Sequence, residues 1–395
     1  MIRSKLLFPV LLLLTTSQLY GQDSLITSLS KKNLSTFTKA GDTFTGLGWE
    51  KIIKKSESAN DVLIGEDHFT NEIPYFTSAI ASKINFENFF CEIDPVTANI
   101  LQQKITTLSP NALQDYVNIY GNTFSFYAYT PEFELLKQLT KANTKILGTD
   151  QILLIGDRVI CGELQKTTKN LAAKKIYQTI ASNSKIYFDR FLKDQSKPFY
   201  LLSDDFSKKM DTLSRLKLSV PERKIVNMFQ MSAQIYKSQS HQLRVQLMKH
   251  QLMEVYGNWM GKRNLFKYGA NHLSKAESFL EVYDIGNLVA NLNDASYKKS
   301  LHIMILGSAG RQASPFEGFP SEEINPDSEI MKALKPIIRT VEGLAWHCYD
   351  LLPLKTGLDA GRLIVKDIKL QRIIKGYDLL VIIPNVTASE FAKNQ

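Results

Sequence analysis

Cysteine is scarce in this chain: three residues, at positions 91, 161 and 348, cannot build a disulfide framework. In an oxidising compartment one pair could bridge and one thiol would remain. Cys91 sits in an apolar run and reads as a small core residue. Long hydrophobic runs are absent as well; none approaches the ~20 residues of a membrane-spanning helix. Several catalytic signatures are missing: the Gly-x-Ser-x-Gly elbow, the phosphate-binding loop, the Gly-rich dinucleotide turn, the His-Glu-x-x-His helix and the Cys-x-x-Cys pair. Their absence excludes a serine hydrolase of the usual α/β type and leaves water as the nucleophile of any hydrolysis. Arginine clusters are absent too. The net charge of +9 is mostly scattered lysine, which argues for solvated surface and against a reader of nucleic acid. No internal repeat or low-complexity tract is present.

What remains is an ordinary globular composition, 44% hydrophobic and 22% charged over 395 residues. That length allows two domains, or one large domain with an insertion. At the start, Arg3 and Lys5 precede the short apolar run Leu6–Leu14, a polar stretch and Gly21. This pattern predicts an export signal over residues 1–21 and a periplasmic or secreted mature protein. Loss of Arg3 and Lys5 would lower the charge from +9 to +7 (9 − 2).

Six short apolar runs lack alternation and end in polar or turn residues, as buried parallel strands do. They are Asp61–Gly65, Asn88–Ile93, Thr144–Gly148, Asn264–Gly269, Leu301–Leu306 and Tyr377–Ile383. Helical periodicity over Glu72–Lys83 joins the first two into a strand-helix-strand unit. Residues 151–261 are rich in Lys, Gln, Ser, Leu and Met, with apolar residues at helical spacing from Ile225 to Met260, and predict a helical insertion or lid. The expected architecture is α/β: a mostly parallel central sheet flanked by helices, residues 22–150 and 262–395 forming its two parts around that insertion. The Gly- and Pro-rich run Ala309–Asp327 reads as a loop.

The chemistry concentrates at strand ends, where open α/β sheets bind ligands. The first strand delivers Gly65-Glu66-Asp67-His68. Glu66 and His68 share a face if the strand continues, and His68 shares one with Glu72 if the helix has already begun. Carboxylate and imidazole then converge as an oriented general base or as metal ligands. Glu92 interrupts the second apolar run, where a carboxylate is costly unless paired; Asp94, before Pro95, shapes the turn. The third strand ends at Asp150. The fourth leads to Asn271 and His272. Glu66, His68, Glu92 and His272 are the expected catalytic residues, Glu72, Asp150 and Asn271 the expected substrate contacts, and Glu66, His68 and His272 the ligands of any metal. The other histidines, His241, His250, His302 and His347, read as structural, the first two as solvated.

These residues, in this order, resemble the superfamily of erythromycin esterase-like hydrolases, ChaN-like haem-uptake proteins and TraB/Tiki-type proteins. Gly65-Glu66-Asp67-His68 with Glu72 is similar to its first motif, Glu92 to the acid of its second strand, and Gly148-Thr149-Asp150 to the esterases' Gly-Phe-Asp. Gly269-Ala270-Asn271-His272-Leu273 resembles the TraB/Tiki Gly-Ala-Gly-His-Leu, and Tyr349–Pro353 and Gly376–Ile383 resemble the closing strands of the esterases. The resemblance implies a parallel sheet with a helical insertion. It also implies hydrolysis of an ester, lactone or amide in a small molecule or peptide, metal-dependent proteolysis, or haem binding without catalysis. A divalent metal or haem is the cofactor each of the last two would need.

Overall fold

The computed structural model describes residues 23–392, so the expected export segment lies outside the described residues. Eleven strands form among them: β1 (Leu34–Ala40), β2 (Thr43–Thr45), β3 (Asp61–Glu66), β4 (Asn88–Cys91), β5 (Lys145–Gly148), β6 (Asn264–Gly269), β7 (Ser300–Gly307), β8 (Arg311–Gln312), β9 (Glu322–Glu323), β10 (Trp346–Asp350) and β11 (Leu379–Ile383). All six apolar runs are among them. Every residue of β3, β4, β6 and β11 is buried, the condition under which a strand is apolar throughout. The fold is α/β with a mostly parallel, mixed sheet. Ala309–Asp327 is a loop except for the short ribbon of β8 and β9.

The chain divides into two compact units. One holds the residues up to Asp67, Gly269–Arg311 and Glu323–Thr387. Its strands run in the order β2-β1-β10-β11-β7-β3. Parallel pairing joins β11 to β7 and β7 to β3, while β1, β2 and β10 add an antiparallel edge. That edge had no apolar-run signature. In β1 only Phe37 is buried, and it faces Trp346 of β10 with ring centroids 5.5 Å apart. Phe44 and Trp49 complete this aromatic cluster at 5.4 and 6.2 Å from Phe37.

The second unit holds His68–Tyr268, Gln312–Glu322 and the residues from Ala388 onward. Its strands run β6-β4-β5, all parallel, so β4 is flanked on both sides. The helix Glu72–Lys83 leads into β4. At the amino ends of β4 and β6, the Asn88 amide donates to Asn264 Oδ1 at 2.8 Å, a buried bond that fixes the register. Residues 151–261 contain the helices Asp157–Thr167, Leu171–Lys193, Asp204–Arg215, Val220–Ser238, His241–Glu254 and Tyr256–Trp259. Local caps set their starts: Ser219 and Glu222 form a reciprocal capping box, and Ser203 and Asn170 accept first-turn N–H groups. No helix of the described residues is long and apolar enough to cross a membrane. All three cysteines are buried and free.

Candidate functional site

In the second unit the strand-end acids meet a cation that spacing along the chain did not reveal. Glu92 follows β4 and is 5% exposed. Asp150 lies two residues beyond β5, tied back by its N–H to Ile93 O at 2.9 Å. Arg244, from the helix His241–Glu254, closes on both. Its Nε and Nη2 donate to the two oxygens of Asp150 at 2.9 and 2.5 Å, and Nη2 also donates to Glu92 Oε1 at 2.7 Å. This is a guanidinium fork on one carboxylate with a branch to a second. Burial works against the guanidinium, but the attraction of Asp150 and Glu92 outweighs it and holds Arg244 well above its ordinary pKa. A buried carboxylate deprived of such a partner costs several kcal/mol, so Arg244 is what permits two acids at this edge.

The second oxygen of Glu92 faces His68, with Nε2 at 3.5 Å from Oε2. The Phe126 ring stacks on the imidazole, centroids 4.2 Å apart and planes 18° from parallel. Neither regular spacing accounts for His68. The strand ends at Glu66 and the helix starts at Glu72, and between them Phe69 adopts φ 65°, a left-handed turn that redirects the chain. His68 therefore reaches Glu92 from a loop, and Glu72 opens the following helix without sharing a helical face with it.

A cavity of about 220 Å³ opens onto the two acids and Arg244, bounded by Glu92, Asp150, Arg244, Tyr236, Gln151 and Phe126, with His68 reaching it through Glu92. Burial raises the Tyr236 pKa, with Asp150 adding to it, so its hydroxyl stays protonated and able to donate. Gln151 Oε1 is buried without a hydrogen-bond partner. Asp94 also lines the cavity but serves the fold: its Oδ1 caps the helix Pro95–Thr107 by accepting from Val96 and Thr97 N–H at 3.0 and 2.8 Å. Burial pushes its carboxyl up to about 6 in spite of those bonds.

In the first unit Glu66 ends β3, buried, one residue after Gly65. A Cβ at Gly65 would stand 2.8 Å from the Tyr377 hydroxyl and 3.1 Å from Ala270 Cα, so glycine lets β3 pass against the turn Ala270–His272. Tyr377 donates to Ala270 O and fixes that turn. His272 is buried with Nδ1 2.7 Å from Asp284 Oδ2, while Asp284 Oδ1 accepts from Ile285 N–H at 2.7 Å and caps the next helix. A carboxylate on Nδ1 fixes the imidazole tautomer and leaves Nε2 for chemistry or ligation. The sequence had not singled out Asp284. Asn271 Oδ1 is buried with no hydrogen-bond partner.

The remaining histidines separate by burial. His302 is fully buried, donating from Nδ1 to Leu273 O and accepting at Nε2 from the Ser300 hydroxyl; burial, aided by the Lys275 charge, lowers it to about 3. His347 Nε2 accepts from Glu342 N–H at 3.1 Å. His250 is exposed as expected, whereas His241, expected to be solvated, is half-buried at the start of its helix.

No protein-family model matches the sequence, and no curated protein matches it. Solved structures do match. A succinoglycan biosynthesis protein superposes with a TM-score of 0.56 at 12% identity, covering 93% of this chain and 98% of that one. A protein from Bacillus cereus gives 0.54 at 14% identity over 94% and 99%. The erythromycin esterase EreC, as a histidine mutant in its open conformation, gives 0.51 at 14% identity over 87% and 95%. At such identities the likeness speaks for the fold alone. The chain has the erythromycin esterase-like α/β fold.

Proposed function

We infer that this protein is a hydrolase that uses water to cleave an ester, lactone or amide, with His68 as general base. The observation that carries the reading is the His68–Glu92 contact, braced by Arg244 behind the carboxylate and by Phe126 on the ring. Glu92, Asp150 and Arg244 together hold one net negative charge, which the imidazolium formed at His68 balances. In the forward step His68 takes a proton from water and the resulting hydroxide adds to the substrate carbonyl carbon. The carbonyl oxygen becomes an oxyanion. Collapse breaks the bond to the leaving group, which takes the proton back from the imidazolium. Tyr236, protonated and lining the cavity, is the donor we assign to the oxyanion. Gln151 and Asp150 are the assigned substrate contacts on this side. A divalent metal fits poorly among His68, Glu92 and Asp150, because Arg244 already occupies the carboxylates as their cation. The assignments of Glu66, Glu72, Asn271 and His272 rest on the sequence, and their own substitutions test them. The same holds for export of the mature protein, which processing at about residue 21 in a secreting host would support.

The test is a panel of esters, lactones and amides with purified protein. His68→Ala should lower kcat by about 10²–10⁴-fold, the usual worth of a general base, and Glu92→Gln, which removes the charge facing the imidazole, should lower kcat by a smaller factor. Unchanged turnover in His68→Ala refutes the assignment. Stoichiometric metal that is present in the wild type and lost in His68→Ala would replace the general base by metal-assisted hydrolysis. A Soret band on haem titration, lost in the same variant, would replace hydrolysis by haem binding.

A further inference from the structure

A second cavity of the same unit, about 770 Å³, shares no lining residue with the one at Glu92. It lies between the helix Leu171–Lys193 and the segment around Tyr120, and Arg158 opens into it. The Arg158 guanidinium lies over the Tyr120 ring, 5.5 Å from its centroid. It has no hydrogen bond or ion pair among the described residues. Burial pulls its pKa below the ordinary value, outweighing the attraction of Tyr120, Asp189 and Asp157. The neighbouring acids bond other groups, although Asp157 keeps one oxygen without a partner. Asp189 accepts from Lys185 at 2.6 Å, Asp157 accepts from the Ser184 hydroxyl at 2.6 Å, and Glu317 accepts from the Asn122 amide at 3.4 Å. A partly desolvated guanidinium with acids nearby but no direct ion pair is only partly compensated, and a planar fork over an aromatic face is shaped for a carboxylate. The lining also carries apolar groups among polar ones such as Gln165, Gln178 and Lys185: Phe188 is buried, while Leu192 and Ile119 are 40% and 56% exposed.

We propose that this cavity binds an organic carboxylate, its anionic end on the Arg158 fork and its apolar body against Tyr120, Phe188 and Leu192. The bidentate contact supplies the direct ion pair that Arg158 lacks, and the apolar side chains beside it select against small inorganic anions. The site is independent of the hydrolytic reading.

Isothermal titration of the purified protein with 3-phenylpropionate tests it, with 3-phenylpropionamide and inorganic phosphate as the other arms. The carboxylate should bind saturably. The amide should bind about tenfold more weakly or not at all, the order expected when charge-assisted hydrogen bonds are lost, and phosphate should not compete. Arg158→Gln should weaken carboxylate binding at least tenfold while His68→Ala leaves it unchanged. Should Arg158→Gln fail to fold, Leu192→Glu at the half-exposed rim provides the same reading, since it sets a negative charge where the ligand enters. Equal binding of acid and amide, binding unaltered by Arg158→Gln or Leu192→Glu, or no saturable binding overturns the proposal. Phosphate that binds as tightly as the carboxylate overturns its apolar half.

Discussion

Asp157 is the buried acid whose removal should change stability most informatively. It is fully buried as the first residue of the helix Asp157–Thr167. One oxygen accepts from the Ser184 hydroxyl at 2.6 Å, and the other has no partner. Burial pushes its carboxyl up to about 7, outweighing the bond from Ser184, the N–H groups at the helix start and the charge of Arg158. In the unfolded chain the same group titrates at about 3.9. The folded state therefore holds a proton that the unfolded state has released between about pH 4 and pH 7, and stability falls as pH rises through that window. At roughly 1.4 kcal/mol per pH unit over about three units, the loss is on the order of 4 kcal/mol by pH 7 and constant above it. Asp157→Asn removes the titration. Its own cost, an amide N–H without a partner at about 1–3 kcal/mol, is independent of pH. Urea denaturation of both proteins at intervals from pH 4.5 to 8 separates the two terms. The stability of the variant relative to the wild type should climb steadily to about pH 7 and then level off. A difference that is flat across this range would refute the placement of Asp157 as a buried carboxyl that ionises only at a cost.

The opposite slope belongs to His302, held at about 3 in the fold against about 6.5 unfolded. Its penalty is absent above pH 6.5 and grows as pH falls, so His302→Gln should blunt acid unfolding between pH 6 and pH 4 in thermal melts while changing little at pH 8. Lys267 on β6 is 2% exposed and donates to Glu132, itself 4% exposed. Lys267→Met takes the ammonium away from a buried carboxylate and should cost about 3–5 kcal/mol in chemical denaturation, with most of it recovered in the Lys267→Met, Glu132→Met double variant. A single variant as stable as the wild type would show that the pair carries no such load.

The sheet was legible because parallel strands covered on both faces must be apolar throughout, and six such runs stand out from a Lys-rich background. The antiparallel edge was not. β1 buries one aromatic and leaves serine, threonine and lysine toward solvent, a composition that loops share. The same contrast governs the site. Glu92 betrayed itself as a carboxylate inside an apolar run, and Lys267 carried the same signal within Asn264–Gly269 without being read. In both, the charge was visible and its partner was not. Arg244 is 152 residues from Glu92 and 94 from Asp150, and Glu132 is 135 from Lys267. Nothing local marks such partners, because what selects them is the electrostatic cost of a buried carboxylate or ammonium, which exists only once the chain has folded. The path that brings His68 to Glu92 was hidden for a different reason. It depends on one left-handed residue, Phe69, that breaks both the strand and the helix spacing, and an aromatic at positive φ leaves no trace in the pattern. Charge interrupting an apolar run thus reports that a buried polar centre exists, while the identity of its counter-charge and the path of the loop that completes it belong to the tertiary structure.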